Sequence, residues 1–447
     1  MVTRSGSSPV TRHPSLGNAH PHVAIIGGGY AGMAAAVELA RNAVPVTVFE
    51  ASGVLGGRAR RVDHDGVRLD NGLHILLGAY RETLRLIDLV KHPGEPAGLL
   101  RLPLELIIHP VFRLRAAHLP APLHLFSALL GAQGLDFGDR FAAARFMAWA
   151  QYNRFRLAGD TSVAALLTSK RQPDAVSRFL WNPLCVSALN TPPSQASAQV
   201  YLNVLRDSLN GSRADSDLLL PTLDFSALFP ERAARYVHAH GGSVRLGVTV
   251  DAVRQKDSGF ELTPDGERFT HAILAAAPHR AGALLAHYAE LTPIVRMIDQ
   301  FVYQPIYSVY LQYAPETRLP FRMGGLESGY SQWLFDRGQL CGQQGLIGVV
   351  ISSAGAHREL GHDGLARAVH AELIENFPGL GEPQWHQVIA EKRATFSCTP
   401  GLLRPDNATP VARLYLAGDY TASDYPATIE SAVRSGVRAA NLVLQDA

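Results

Sequence analysis

The alternation of apolar and polar positions sets out a strand–turn–helix–strand unit at the start of the chain. His22-Val23-Ala24-Ile25-Ile26 is a short apolar run of buried-strand type, broken by Gly27-Gly28-Gly29-Tyr30-Ala31-Gly32. An alanine-rich helical pattern follows from Met33 to Arg41. A second β-type run, Val46-Thr47-Val48-Phe49, ends on Glu50. Asp65-Gly66 marks a hairpin turn between two short strands. Tyr80 to Val90 places Leu84, Ile87 and Val90 on one helical stripe.

The middle of the chain changes character. Leu99 to Phe112 and Leu119 to Leu135 are leucine-rich, proline-punctuated and poor in acids, with Arg101, Arg113, Arg115 and His118 beside them. Phe137 to Leu157 reads as a helix starting at Asp136 or Asp139, and Thr161 is a candidate cap for a short helix to Leu167. The prolines between Trp181 and Pro193 are expected to end a helix, and Gln195 to Leu209 resumes one that Asn210-Gly211 stops. Leu228 to Ala239 is helical. Val244 to Val253 reads as strands interrupted at Gly247, with a hairpin and strand following to Ala275. Phe301 to Tyr313 reads as a strand whose Phe301, Tyr303, Tyr307 and Tyr313 share one face by period-two spacing. Leu346 to Ile351 and Glu391 to Phe396 are further strands, and Leu365 to Phe377 is an amphipathic helix.

The first unit has the order that the dinucleotide fingerprint requires. Gly27 permits the tight turn, Gly29 lets the backbone approach a pyrophosphate, and Gly32 lets the helix pack close to the strand. The helix N-terminus, beginning around Tyr30 and Ala31, offers free N–H groups to that pyrophosphate. Glu50 lies where its carboxylate can accept hydrogen bonds from ribose hydroxyls. A second glycine turn, Gly56-Gly57-Arg58, follows just beyond the acid. At the other end, Arg413 to Leu416 is a strand running into Ala417-Gly418-Asp419, and Thr428-Ile429-Glu430 opens a helix that Gly436 and Ala440 keep small on one face. Gly418 allows backbone approach, Asp419 can bind a cofactor hydroxyl, and the helix N-terminus faces anionic cofactor density. A fingerprint at the start paired with this motif at the end favours FAD over NAD.

The chain has 447 residues, enough for two or three domains. A hydrophobic fraction of 47% and a charged fraction of 18% describe a folded protein with ample core. A net charge of +2 with dispersed basic residues offers no field for nucleic acid. Cys185, Cys341 and Cys398 are far apart and odd in number, which speaks against a disulfide framework or a zinc site and for a reducing cytoplasm. No apolar run is long enough to span a bilayer. Met1 to Pro21 lacks an acid and an apolar signal core, and reads as a disordered extension over residues 1–20. The apolar segments within 99–135 would line a hydrophobic cleft, form ordinary core, or touch lipid at the inner face of the cytoplasmic membrane. Asp217, set before Leu218-Leu219-Leu220, is a helix cap, a turn residue or a buried acid with a raised pKa.

Glu50 followed at this spacing by Gly56-Gly57-Arg58 resembles the flavin amine oxidase and phytoene desaturase superfamily. That resemblance implies an α/β fold: a Rossmann-like FAD-binding domain of the two-dinucleotide-binding flavoprotein type with a mixed α+β substrate domain. The FAD domain is expected over residues 21–90, 234–290 and 404–447, and the substrate domain over 91–233 and 291–403. The second glycine turn would wrap the FAD with Arg58 facing its phosphates. Val250 would pass the adenine through its backbone, and the segment with His74 would run past the isoalloxazine.

Nearly all of the chain after the tail resembles the hydroxysqualene dehydroxylases, FAD-dependent desaturase-like proteins of bacterial squalene and hopanoid biosynthesis. The blocks that carry this are Asp70 to Tyr80, Pro183 to Leu209 with Ala188-Leu189-Asn190-Thr191-Pro192-Pro193, Ser216-Asp217, Glu391 to Phe396, Ala417-Gly418-Asp419 and Pro426 to Glu430. Leu73 departs from the expected glutamine. The resemblance implies reduction of hydroxysqualene to squalene: acid-assisted loss of water gives an allylic cation, which takes hydride from reduced flavin. A positioned acid contributes about 10²–10⁴-fold to such a step, and Asp217 and His74 are the candidates. It also implies a polyprenoid lipid as partner, handed over from other enzymes of the squalene pathway. Oxidative desaturation of a polyprenoid, amine oxidation, and a non-catalytic lipid carrier with structural FAD are the alternatives.

Overall fold

The structure is a computed structural model and describes residues 21–257 and 259–446. The extension expected over residues 1–20 lies outside the described residues. Five parallel strands form the first sheet: β1 (Val23–Ile26), β2 (Val46–Glu50), β3 (Ser243–Leu246), β4 (His271–Leu274) and β5 (Leu414–Leu416). Their spatial order is β3-β2-β1-β4-β5. The order reverses between β1 and β4, and in open parallel sheets the crevice at the carboxyl ends of such strands is where ligands bind.

Helix α1 (Tyr30–Arg41) lies on this sheet beside the C-terminal helix α2 (Ile429–Asp446). The alanines of α1 let it sit deep: Ala34, Ala35 and Ala36 are fully buried. A Cβ on Gly436 would come 2.0 Å from the Ala31 carbonyl oxygen, so the small face of α2 is required by the contact. Helix Pro230–Ala239 packs on α1 as well. The domain boundary expected at residue 234 would cut that helix, and Phe225, Leu228 and Phe229 already belong to the same core as α1. The helix expected over Leu228–Ala239 breaks at Phe229 into Phe225–Leu228 and Pro230–Ala239.

A seven-stranded mixed sheet makes the second layer system. Its order is 385–396, 303–312, 346–352, 333–336, 323–326, 105–109, 112–115. The leucine-rich stretch thus supplies strands Glu105–His109 and Phe112–Arg115, and then helix Leu123–Leu130. Helix Phe137–Tyr152 follows, closed by a capping box between Asp136 and Asp139. Strands 76–77, 99–102 and 218–221 form a small sheet between the two systems.

Local expectations fail where geometry is irregular. The cap of helix Val163–Ser169 is Ser162, which accepts from the Ala165 amide, and not Thr161. Pro183 does not end a helix: the chain passes through a π-turn at Ser177–Trp181 into helix Asn182–Leu189, where the proline occupies the first turn. The aromatic face of strand Tyr303–Gln312 is split. A register shift between Gln304 and Ile306 leaves Phe301 and Tyr303 on one side of the sheet and Tyr307 and Tyr313 on the other. One extra residue in a strand reverses side-chain parity beyond it.

Candidate active site

The two glycine turns lie side by side at the carboxyl end of β1. Gly27 has φ +116°, and a Cβ there would meet the Ala275 carbonyl oxygen at 2.6 Å; a Cβ on Gly32 would meet the Gly27 carbonyl oxygen at 1.9 Å. Both glycines are demanded by packing. Gly29 is different: its φ is an ordinary −76°, and its Cβ would touch only the Gly57 backbone, at 3.7 Å. Nothing among the described residues forbids a side chain there, and the space belongs to the cavity. The first bond inside α1 runs from the Met33 amide to the Gly29 carbonyl at 2.9 Å. No side-chain cap and no first-turn acid meets the amides of Tyr30, Ala31 and Gly32. Such a terminus is an anion site.

Glu50 braces this turn, accepting from the Gly28 amide at 2.6 Å and the Ser52 amide at 2.8 Å. The Gly56 amide donates to the Gly28 carbonyl at 3.0 Å, joining the two turns. Arg58 is ion-paired to Asp419 at 2.5 Å and donates to the Ala394 carbonyl at 2.6 Å. Its guanidinium therefore ties the second glycine turn to the C-terminal Gly-Asp motif and to strand 385–396. Thr428 accepts from the Ser431 amide at 3.1 Å and so heads α2.

Gly27, Gly29, Tyr30, Ala31, Glu50, Gly56, Gly57, Arg58, Val250, Gly418, Asp419, Thr428 and Ile429 all border one cavity of about 2040 Å³. Gly32 does not; its part is to let α1 approach the turn. The volume exceeds the roughly 300–1,000 Å³ of an ordinary ligand pocket. Beyond the glycine end the lining turns apolar, through Leu104, Leu129, Leu184, Val204 and Trp333 among others. A wall of backbone without side chains, a helix terminus in need of an anion and a long apolar extension fit a bound flavin dinucleotide with room beyond it.

The two candidate acids separate. Asp217 is absent from the cavity wall although its neighbours Ser216 and Leu218 line it. Its oxygens face Arg101 at 3.0 Å and Arg213 at 3.3 Å, and its carbonyl accepts from the Gly78 amide at 2.9 Å. It is a buried, ion-paired residue just before strand Leu218–Pro221, set behind the cavity wall. His74 does line the cavity, edge-on to Phe225 with centroids 5.1 Å apart, and its buried Nε2 has no partner among the described residues. Burial, aided by the charge of Arg58, lowers its pKa to about 4. At neutral pH it is an uncharged imidazole, a poor source of protons.

Sequence reasoning passed over Glu391 as an acid. It borders the cavity, accepts from the Asn71 carboxamide at 3.2 Å and from the Arg393 amide at 3.3 Å, and makes no ion pair within 4 Å among the described residues. Asn71 also donates to the Arg58 carbonyl at 2.9 Å, so Glu391 is held next to the Arg58–Asp419 pair. Tyr420 adds, on the same wall, a buried hydroxyl without a partner among the described residues. The signal was available for Glu391, an acid inside an otherwise diagnostic block. None existed for Asn71 as its support, because the contact spans 320 residues.

The sequence model for flavin containing amine oxidoreductases matches residues 30–444. The chain belongs to that family and is a flavin-dependent oxidoreductase of α/β fold. Within it, the chain is 30% identical to a hydroxysqualene dehydroxylase of Rhodopseudomonas palustris, over 94% of this chain and 98% of that one. A second protein of that name, from Sinorhizobium fredii, is 27% identical over 95% and 99% of the two chains. In three dimensions the chain resembles an oxidoreductase from Methanosarcina mazei, with a TM-score of 0.71 at 15% identity over 93% and 99% of the chains. No helix of the described residues is long and apolar enough to cross a membrane.

Proposed function

We propose that this chain is an FAD-dependent enzyme that reductively removes the hydroxyl of hydroxysqualene, yielding squalene and water. The observation that carries the reading is one continuous cavity, walled by glycine backbone at one end and by apolar side chains over the rest. The names borne by the relatives of R. palustris and S. fredii support the substrate. The amides of Tyr30 and Ala31 take the pyrophosphate, Glu50 the ribose hydroxyls, and the backbone at Val250 the adenine. Asp419, fixed by Arg58, and the head of α2 at Thr428 and Ile429 hold the remainder of the cofactor.

Reduced flavin, when bound, supplies a hydride. The chain supplies the rest. Hydroxide leaves poorly, so Glu391, through Oε1, passes a proton to the allylic hydroxyl as the carbon–oxygen bond breaks and water departs. Asn71 holds the other oxygen and orients the acid. The allylic cation left behind lies among apolar side chains that exclude water, which protects it from recapture. Neutral His74 shapes the same region without adding charge beside the cation.

The test is an anaerobic single turnover: the flavoprotein is reduced, hydroxysqualene is added, and flavin absorbance and lipid products are followed together. Reoxidation with stoichiometric squalene is expected. A flavin that stays reduced in folded protein, with the alcohol intact, overturns the reading in favour of a desaturase or amine oxidase.

A further inference from the structure

Large apolar side chains that the fold leaves in water are concentrated in one place. Among the described residues, Leu119, Leu123, Phe126, Leu130, Phe137, Phe141 and Tyr152 are exposed within 34 consecutive positions, and only Leu246, Val302, Leu360 and Leu403 are exposed elsewhere. They follow helical stripes. Leu123, Phe126 and Leu130 are spaced three and four apart on helix Leu123–Leu130. Phe137, Phe141, Ala148 and Tyr152 fall on one face of helix Phe137–Tyr152, with Phe137 79% and Phe141 60% exposed. Arg140 joins the two helices by donating to the Leu130 and Ala132 carbonyls at 2.8 and 2.7 Å, so the stripes belong to one surface.

Two further observations identify what this surface meets. The first is charge. Residues 105–160 contain six arginines and four acids; Glu105 pairs with Arg113, Asp136 and Asp139 are engaged in the capping box, and Asp160 accepts from the Ser197 hydroxyl and the Gln199 amide. Arg113, Arg115, Arg145, Arg154 and Arg156 are exposed. An apolar stripe in a segment with an excess of exposed arginine has the composition of a surface that lies in the interface of an anionic bilayer. The second is continuity. Leu123 and Phe126, exposed on the surface, also line the cavity, as do Ala148 and Gln151 of the second helix. The patch thus borders the apolar end of the cavity.

We infer that helices 123–130 and 137–152 dock on an anionic phospholipid bilayer and open the cavity directly to it. The docking deepens the lipid-substrate reading: a chain with negligible water solubility passes from bilayer to cavity without crossing solvent. The binding itself is measured without turnover, so the two stand or fall separately.

The experiment sediments the flavin-loaded protein with vesicles of phosphatidylcholine alone and of phosphatidylcholine with phosphatidylglycerol. The variant is Leu130→Glu/Phe137→Glu/Phe141→Glu, three exposed positions outside the cavity wall. Leu403→Glu, on an exposed residue outside this segment, is the control for added charge. Wild type and the control are expected to bind the anionic vesicles, less so at high salt, and the triple variant at least about tenfold more weakly with its flavin spectrum and Tm unchanged. The triple variant is also expected to retain turnover of detergent-dispersed substrate and lose it for substrate held in vesicles. Wild type that stays in the supernatant with both vesicles overturns the inference, as does equal binding by the triple variant. A wild-type dimer that the triple variant dissolves, without vesicle binding, overturns it in favour of a second copy of this chain.

Discussion

At one end of the cavity the wall is backbone; at the other it is side chain. Gly27, Gly29, Gly56 and Gly57 line the first, in two turns joined by the Gly56 amide to the Gly28 carbonyl. The second is lined by apolar residues from strands 105–109 and 333–336 and from helices 123–130, 182–189 and 198–209. The first end recognises a ligand by amides and by missing Cβ atoms, which tolerates no added atom. The second recognises by volume and dryness, which many side chains satisfy. Substitutions at the two ends should accordingly fail in different ways.

The largest expected effect separates binding glycines from packing glycines. Gly29→Val should fold, because its Cβ meets only the Gly57 backbone, yet purify almost free of flavin. Gly32→Val should not fold, since even a Cβ would lie 1.9 Å from a backbone oxygen. Flavin absorbance per protein and Tm distinguish the two, and normal flavin occupancy in Gly29→Val would break the fingerprint reading. At the far end, Leu184→Arg places a charge in the apolar lining. It should keep its flavin and lose turnover by about 10²-fold or more, since an unpaired charge in an apolar site resists desolvation.

Next in size is the junction between the ends. Glu391→Gln should slow flavin reoxidation by hydroxysqualene by about 10²–10⁴-fold with flavin content unchanged. Asp217→Asn should instead lower Tm, because it strips two arginines of a buried partner. The opposite pattern, with Asp217→Asn folded but unreactive and Glu391→Gln at full rate, would return the acid to Asp217.

How far each end is legible in sequence follows from the same contrast. The glycine end is local: strand, turn, helix and acid lie within 29 positions from His22 to Glu50, and each residue type has a steric or electrostatic reason. The apolar end is not local. Strand Glu105–His109 pairs with Met323–Leu326 across more than 200 residues, and a leucine on a cavity wall has the same sequence signature as a leucine in the core. That is why the stretch 99–135 left cleft, core and membrane open, and why it proves to serve as cavity wall and exposed surface at once. The partners of Asp217 are hidden for a related reason: an acid before an apolar run is visible, but the two arginines that pair with it are brought there by folding.

The smallest expected effect is on pH dependence, and it tests which buried histidine feels the cofactor. Burial lowers both His74 and His271 to about 4. Each would take a proton near 6.5 in the unfolded chain, so between pH 6.5 and 4 the unfolded state binds more protons. Their stabilising contribution is full above about pH 7 and is lost as pH falls through that window, by up to about 3 kcal/mol each. Asp70, which burial raises to about 6 against the pull of Arg337, runs the other way and costs stability as pH rises from about 4 to 6. His271→Asn and His74→Asn should each flatten the fall of Tm on acidification. His271 lies in β4 away from the cavity wall, so its effect should be the same with and without flavin. His74 borders the cavity, and flavin that excludes water from its ring should enlarge its share. Equal dependence on flavin in the two variants would mean that the cofactor does not reach His74, and the junction between the two ends would have to be placed elsewhere.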